Sequence, residues 1–340
     1  MKYSTGLSIG LLLGMNVFTA RAQQAVNAWE NPALQTENAL APHASFVPSI
    51  SEAAALAALS SPNVLSLDGV WKFKLAASPA LRPDSFYLNQ YDVSSWSNIK
   101  VPAHWQTEGF DKYIFTDVEY PIPVNPPFPP QNDNPVGSYR RHFTLPQAWA
   151  GKNITLRFGA VNSFFYCWVN GKYVGLSKDS KTAAEFDITD YLRKGENTIA
   201  VQVFRFSDAT YLEGQDMWKL SGIERSVQLI ARPPIGIQDF FVRAALDSTY
   251  TKGIFNLDVQ LNKAAAEGRL QIKLLDDKGT TVLQQQSPLN GAANYHFEGL
   301  LSKVKSWNAE SPQLYTLLIT QYNKRVSWWN VLRTKQVSVR

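Results

Sequence analysis

Residues 164–174 read Phe164-Phe165-Tyr166-Cys167-Trp168-Val169-Asn170-Gly171-Lys172-Tyr173-Val174, two apolar and aromatic runs joined by Asn-Gly. A two-residue type I′ turn needs positive φ at both central positions, and Asn-Gly meets that demand most readily. The stretch therefore predicts an antiparallel hairpin. Short β-branched or aromatic runs recur at 70–75, 154–158, 198–206 and 226–230, and Lys194-Gly195-Glu196-Asn197 marks another reversal. Most alternate apolar with polar, as strands buried on one face do. So many short strands between 63 and 232 predict a jelly-roll β-sandwich.

Pro233-Pro234 interrupts the pattern as a linker does, and a smaller strand series follows at 255–261, 269–275, 281–284 and 314–321, with a turn at Asp276-Asp277-Lys278-Gly279. Its spacing suits an immunoglobulin-like β-sandwich over 233–340, without the Cys pair of antibody domains. The chain is thus expected to be all-β. The end of the second sandwich reads as atypical, because residues 325–340 carry no acid. A missing or mismatched last strand is expected there, with an open edge and Trp328-Trp329 exposed. Ahead of the first sandwich, 23–62 form a polar, proline-punctuated lead in which Ser51-Glu52-Ala53-Ala54-Ala55-Leu56 predicts one short capped helix.

Residues 1–22 begin with Lys2, run through an apolar core and close on Ala20-Arg21-Ala22, the pattern of a secretory signal and its cleavage site. The apolar run is short of about 18 residues and broken by Gly10, Gly14 and Asn16, which argues against a membrane span. Export to the periplasm or beyond the cell is the expectation. Cys167 is the only cysteine, so no intramolecular disulfide forms, and its apolar neighbours predict a buried side chain. A net charge of +5 is mild, and no basic cluster interleaves with aromatics as a nucleic-acid groove requires. The four His residues are dispersed, with no zinc-ligand spacing.

Two segments are too irregular for sheet or helix. One is Tyr120-Pro121-Ile122-Pro123-Val124-Asn125-Pro126-Pro127-Phe128-Pro129-Pro130; the other is Tyr211-Leu212-Glu213-Gly214-Gln215-Asp216-Met217-Trp218. The first is too proline-rich for a helix or an interior strand, and an ordered extended loop is favoured over a polyproline ligand, with Asn125, Phe128 and Asn134 packing on neighbouring domains. The second has the polar and aromatic content of a binding loop.

With these loops, Trp29-Glu30-Asn31-Pro32, Leu67-Asp68-Gly69-Val70-Trp71, Val101-Pro102-Ala103-His104-Trp105 and Gln215-Asp216-Met217-Trp218 occur in an order that resembles the amino-terminal region of glycoside hydrolase family 2 β-galactosidases. Jelly-roll landmarks are shared with β-glucuronidases and β-mannosidases, which stay open as parent activities. The Trp-Glu-Asn-Pro, Asn-Pro-Pro-Phe and Gln-Asp-Met-Trp segments favour the β-galactosidase branch. The resemblance implies hydrolysis of terminal β-galactosides with retention. It also implies that both catalytic carboxylates belong to a barrel, which these residues do not include, so the chain is expected to be inactive alone. No catalytic residue is assigned in it.

By the same resemblance Asp216 matches an Asp that contacts galactose and joins a sodium site, while Asp117 and Val118 match a loop pair lining the same subsite. Sodium and magnesium are implied only for a complete enzyme. Asp117 stands where an Asn is usual, and a carboxylate accepts hydrogen bonds where an amide also donates. Glu224 likewise replaces an apolar or aromatic residue. The implied partners are β-galactoside sugars and a separately encoded barrel; a stand-alone carbohydrate-binding module and a non-functional truncated product remain as rivals. Glu213, Asp216 and Glu224 lie on one loop and the following strand, which does not suit an acid and a nucleophile held about 5 Å apart across a bond. Trp218 is expected to plug the sandwich, as a large aromatic beside a strand start usually does.

Overall fold

The computed structural model describes residues 27–46, 48–323 and 330–339. Two antiparallel β-sandwiches follow one another. In the first, a seven-stranded sheet runs in the order Thr36–Glu37, Lys172–Ser177, Phe164–Val169, Glu196–Phe204, Val136–Thr144, Gly69–Ala76, Ser97–Val101. It faces a four-stranded sheet of Ala184–Asp187, Asn153–Phe158, Val227–Arg232 and Val64–Ser66. Alternate residues of both sheets fill the space between them, including Trp71, Phe73, Tyr139, Phe158, Phe165, Cys167 and Phe186. Cys167 is fully buried, and burial pushes its thiol pKa up, so it is an inert core side chain. The hairpin turn has φ of 53° at Asn170 and 80° at Gly171. Asn170 also donates to Tyr191 and Asn197, which ties the turn to the next loop.

The second sandwich has a three-stranded sheet, Ile237–Leu246, Gly253–Leu261, Asn294–Leu301, and a four-stranded one, Thr281–Pro288, Arg269–Leu275, Tyr315–Tyr322, Asn330–Val337. Phe255, Leu257, Val259 and Leu261 recur with period two and point inward. The expectation of a missing or mismatched last strand is overturned. Asn330–Val337 pairs antiparallel with Tyr315–Tyr322, and Leu332, Val337 and Val339 enter the core. Acidic residues are not needed to form a strand; the apolar positions decide it. Residues 1–22, read above as a secretory signal, and Trp328-Trp329 lie outside the described residues.

The lead spans both sandwiches. Thr36–Glu37 extends the seven-stranded sheet, and Leu40 N–H donates to Glu185 O of the opposite sheet. Ala44 N–H donates to Asp239 of the second sandwich at 2.8 Å. Ser49 then exchanges two backbone hydrogen bonds with Val331. The helix Glu52–Leu56 is capped by Ser51, whose hydroxyl accepts from Ala54 N–H. It packs Ala55 on Leu275, Leu318 and Val331, covering the outer face of the four-stranded sheet. That cover explains why every residue of Tyr315–Tyr322 is buried rather than every second one.

Candidate functional site

The two irregular loops meet. Phe115–Thr116 and Met217–Trp218 form a two-stranded antiparallel ladder with Met217 opposite Thr116 and Trp218 opposite Phe115. Asp117 and Asp216 each lie one residue beyond the last pair of this ladder, at the same end of it. Both carboxylates are exposed, and Val118 is 89% exposed. Asp117 Oδ1 accepts the Val118 N–H at 2.7 Å, which orients the carboxylate at the start of its loop. The expectation that Trp218 plugs the core fails. It is 53% exposed and meets Tyr113 and Phe115 edge-on at 5.9 and 5.3 Å. The ladder stands clear of both main sheets, so no core is within its reach.

Beneath the rim, buried polar groups fix the loops. Arg205, on the residue after Glu196–Phe204, pairs with Asp111 and donates to the carbonyls of Lys112 and Lys219 at 3.1 and 3.3 Å. It thereby links the segments that enter and leave the ladder. Gln106 donates to Asp111 and accepts Ser221 N–H, bracing the same two segments. Tyr211 holds the proline-rich loop: its hydroxyl lies 3.1 Å from Pro123 O and 3.0 Å from Phe128 O, and it accepts Asn125 N–H. Its ring meets Tyr120 edge-on. Asn134 does not reach another domain; it is fully buried and pairs with both backbone groups of Phe206.

The other carboxylates of this region have structural partners. Burial raises the Glu213 pKa, while the hydroxyl and N–H of Ser180 oppose that shift by donating to it. Glu224 accepts two hydrogen bonds from Lys181 and lies 3.6 Å from His104, whose pKa burial lowers. Asp216 and Asp117 are exposed acids at the rim, Asp216 interacting with Lys219, with exposed aromatic faces beside them. Carboxylates hydrogen-bond sugar hydroxyls, and aromatic rings cover the apolar C–H faces of sugars.

The sugar-binding domain profile of glycosyl hydrolases family 2 matches residues 64–233, half of the chain, and a second profile of that family matches 235–334. The chain belongs to glycosyl hydrolase family 2. It is 38% identical over 304 residues to a β-galactosidase of Psychromonas ingrahamii, covering 86% of this chain and 29% of that protein. A β-galactosidase of Priestia megaterium is also 38% identical, over 90% of this chain and 31% of its own length. The chain therefore spans under a third of the relatives it matches. Among solved structures, a Bifidobacterium dentium β-glucuronidase superposes with a TM-score of 0.63 at 20% identity, covering 83% of this chain and 49% of that one. That likeness shows the shared fold. The described residues form the two sandwiches and their lead, with no (β/α)8 barrel among them.

Arg205, Gln106 and Tyr211 were not singled out as site residues by sequence. Each acts through long-range hydrogen bonds, and no local spacing announces such a role.

Proposed function

We propose that this chain is the sugar-facing front of a retaining β-galactosidase, with Asp216, Asp117 and Val118 forming one wall of the galactose subsite. The observation that carries the reading is the ladder that joins the two loops, far apart in sequence, and ends next to Asp117 and Asp216 at an exposed aromatic rim. A catalytic barrel supplies the remaining walls and the two carboxylates of the chemistry. Asp216 offers hard oxygen donors of the kind sodium takes. No group of three His, Cys, Asp or Glu ligands occurs among the described residues, so Asp216 contributes one ligand and the barrel the others. Magnesium is assigned to the complete enzyme and to no residue here. Export to the periplasm follows from the leader-like residues 1–22 and is part of this proposal.

The test is complementation. The chain is co-expressed with the barrel-containing remainder of the Psychromonas ingrahamii relative and assayed with a chromogenic β-galactoside. Activity should require both polypeptides. Asp216→Ala should lower kcat/KM by about 100-fold, or roughly 3 kcal/mol, as removal of a charged hydrogen-bond partner does. Unchanged efficiency in that variant would refute the site. The chain alone should bind galactose no tighter than millimolar, about 4 kcal/mol, because one wall buries too little sugar. Micromolar binding that depends on Trp218 would support a self-sufficient carbohydrate-binding module instead.

A further inference from the structure

A cavity lies away from the rim, in the crevice where the lead crosses from one sandwich to the other. Its volume is about 1050 Å³, just above the range of roughly 300–1,000 Å³ that small-molecule sites occupy. Three parts of the chain wall it: His43 and Phe46 from the lead, Arg157 and Glu185 from the four-stranded sheet of the first sandwich, and Arg333 from the last strand of the second. Ser45, Ser60 and Thr182 add hydroxyl groups. The wall mixes these polar groups with apolar side chains such as Leu40, Leu59 and Ile230.

Its charges do not balance. Around Glu185 the guanidinium charge is in excess: Arg232 Nη2 lies at 3.1 Å, behind the cavity wall, and Arg157 Nε at 3.2 Å, with His43 Nε2 at 3.0 Å. His43 Nδ1 lies 2.8 Å from the Ala44 carbonyl, and its Nε2 is also 3.4 Å from Arg232 Nη2. The Arg232 residue is 7% exposed, and its Nε and Nη1 have no hydrogen-bond partner among the described residues. Phe46 lies over that guanidinium at 5.2 Å and closes one face of it. Arg333 adds a further positive charge, and Asp179, exposed, is the remaining acid of the wall. Buried positive charge in excess of its carboxylate is costly unless an anion completes it. Guanidinium groups recognise planar or tetrahedral oxyanions through paired N–H donors, and Arg157 lines the cavity with its Nε held by Glu185.

We propose that this crevice is a binding site for a small oxyanion carried on a hydroxyl-rich body, such as a sugar acid or a sugar phosphate. The anion sits at Arg157 and the hydroxyls face Ser45, Ser60 and Thr182. Because the wall is drawn from the lead and both sandwiches, such a ligand binds the assembled junction and stabilises it by mass action. The site is independent of the galactose rim.

The full chain is titrated with galacturonate, galactose 6-phosphate and neutral galactose by calorimetry and by thermal unfolding, at constant ionic strength set with chloride. Saturable binding of one or both acidic sugars, with a rise in the unfolding temperature and no effect of galactose, is expected. Binding of galacturonate alone assigns a carboxylate ligand, and binding of the phosphate alone assigns a phosphate ester. Arg157→Gln should weaken the binding at least tenfold, and Arg157→Lys, which keeps the charge and loses the fork, should weaken it less. Asp216→Ala should leave it unchanged, which separates this site from the rim. No saturable binding, equal binding of galactose, or undiminished binding by a folded Arg157→Gln would overturn the proposal.

Discussion

Arg205→Met isolates the strut under the rim. Arg205 is 2% exposed, and it pairs with Asp111, whose side chain is 9% exposed. Methionine keeps most of the aliphatic stem and its packing on Phe206, but removes every donor. Asp111 then retains one side-chain donor, Gln106 Nε2 at 3.2 Å, while the carbonyls of Lys112 and Lys219 lose theirs. Breaking a buried pair from one side costs about 3–5 kcal/mol. The remaining Gln106 bond moderates the loss, which places the expected value near 4 kcal/mol, close to a thousandfold in the unfolding equilibrium. Urea unfolding followed by tryptophan fluorescence reads it, since buried tryptophans such as Trp71 and Trp105 report the loss of the first core. The double variant Arg205→Met/Asp111→Leu removes both charges and should regain most of the loss, to within about 1.5 kcal/mol of the parent. A single-variant loss under about 1 kcal/mol, or a double variant as unstable as the single one, would show that the pair does not anchor the rim.

Tyr211→Phe deletes the hydroxyl that meets Pro123, Phe128 and Asn125, and should speed proteolytic cleavage within 120–130 while costing about 1 kcal/mol of global stability; cleavage at the parental rate would exclude the anchoring role. Gly222→Ala should cost about 2 kcal/mol or more, because Gly222 has φ +130° and an added Cβ would stand 2.7 Å from the Ala103 carbonyl; a melting temperature equal to the parent's would count against it. The junction should be most stable between about pH 4.5 and 6.5. The Glu185 hydrogen bond raises the His43 pKa above 6.5, so its contribution is complete below that value and is lost as pH rises through the folded-state pKa. Burial raises the Glu185 pKa, but His43, Arg232 and Arg157 outweigh it and leave it below 4.5, so that contribution is lost as pH falls through the folded-state value. Thermal unfolding of His43→Gln that keeps the alkaline decline unaltered would remove His43 from this account.

Alternation and turn chemistry made the sandwiches legible. Asn170-Gly171 forms the expected turn, and the predicted runs at 164–169 and 269–275 coincide with the strands observed. Val136–Thr144 was harder to see, since Arg140, Arg141 and His142 interrupt its apolar pattern. Arg140 is nevertheless 2% exposed, because the carbonyls of Phe86 and Leu88 accept from its guanidinium. The closing strand was misread from its lack of acids, although Val331, Leu332 and Val337 carried the signal for burial. At the rim, the resemblance pointed to Asp117 and Asp216, but the ladder that joins their two loops is visible only in the structure. Trp218 shows the limit of composition: a large aromatic usually packs inside, yet a two-residue ladder outside the sheets gives it no interior to enter.

The lead that straps the two sandwiches together also sets an order of events during synthesis. Its helix leaves the ribosome early, yet the Arg333 guanidinium that donates to Ala55 O is 278 residues downstream. At 5–20 residues per second the helix waits roughly 15–55 s for the strand it covers. Throughout that interval the helix lacks its closing partner, beside newly formed sheets whose edges accept any extended segment. An Ala-rich stretch such as Glu52-Ala53-Ala54-Ala55-Leu56 has little tendency to join an edge as a strand, so it can remain uncommitted until Val331 emerges. A helix made early is thus among the last elements to be placed.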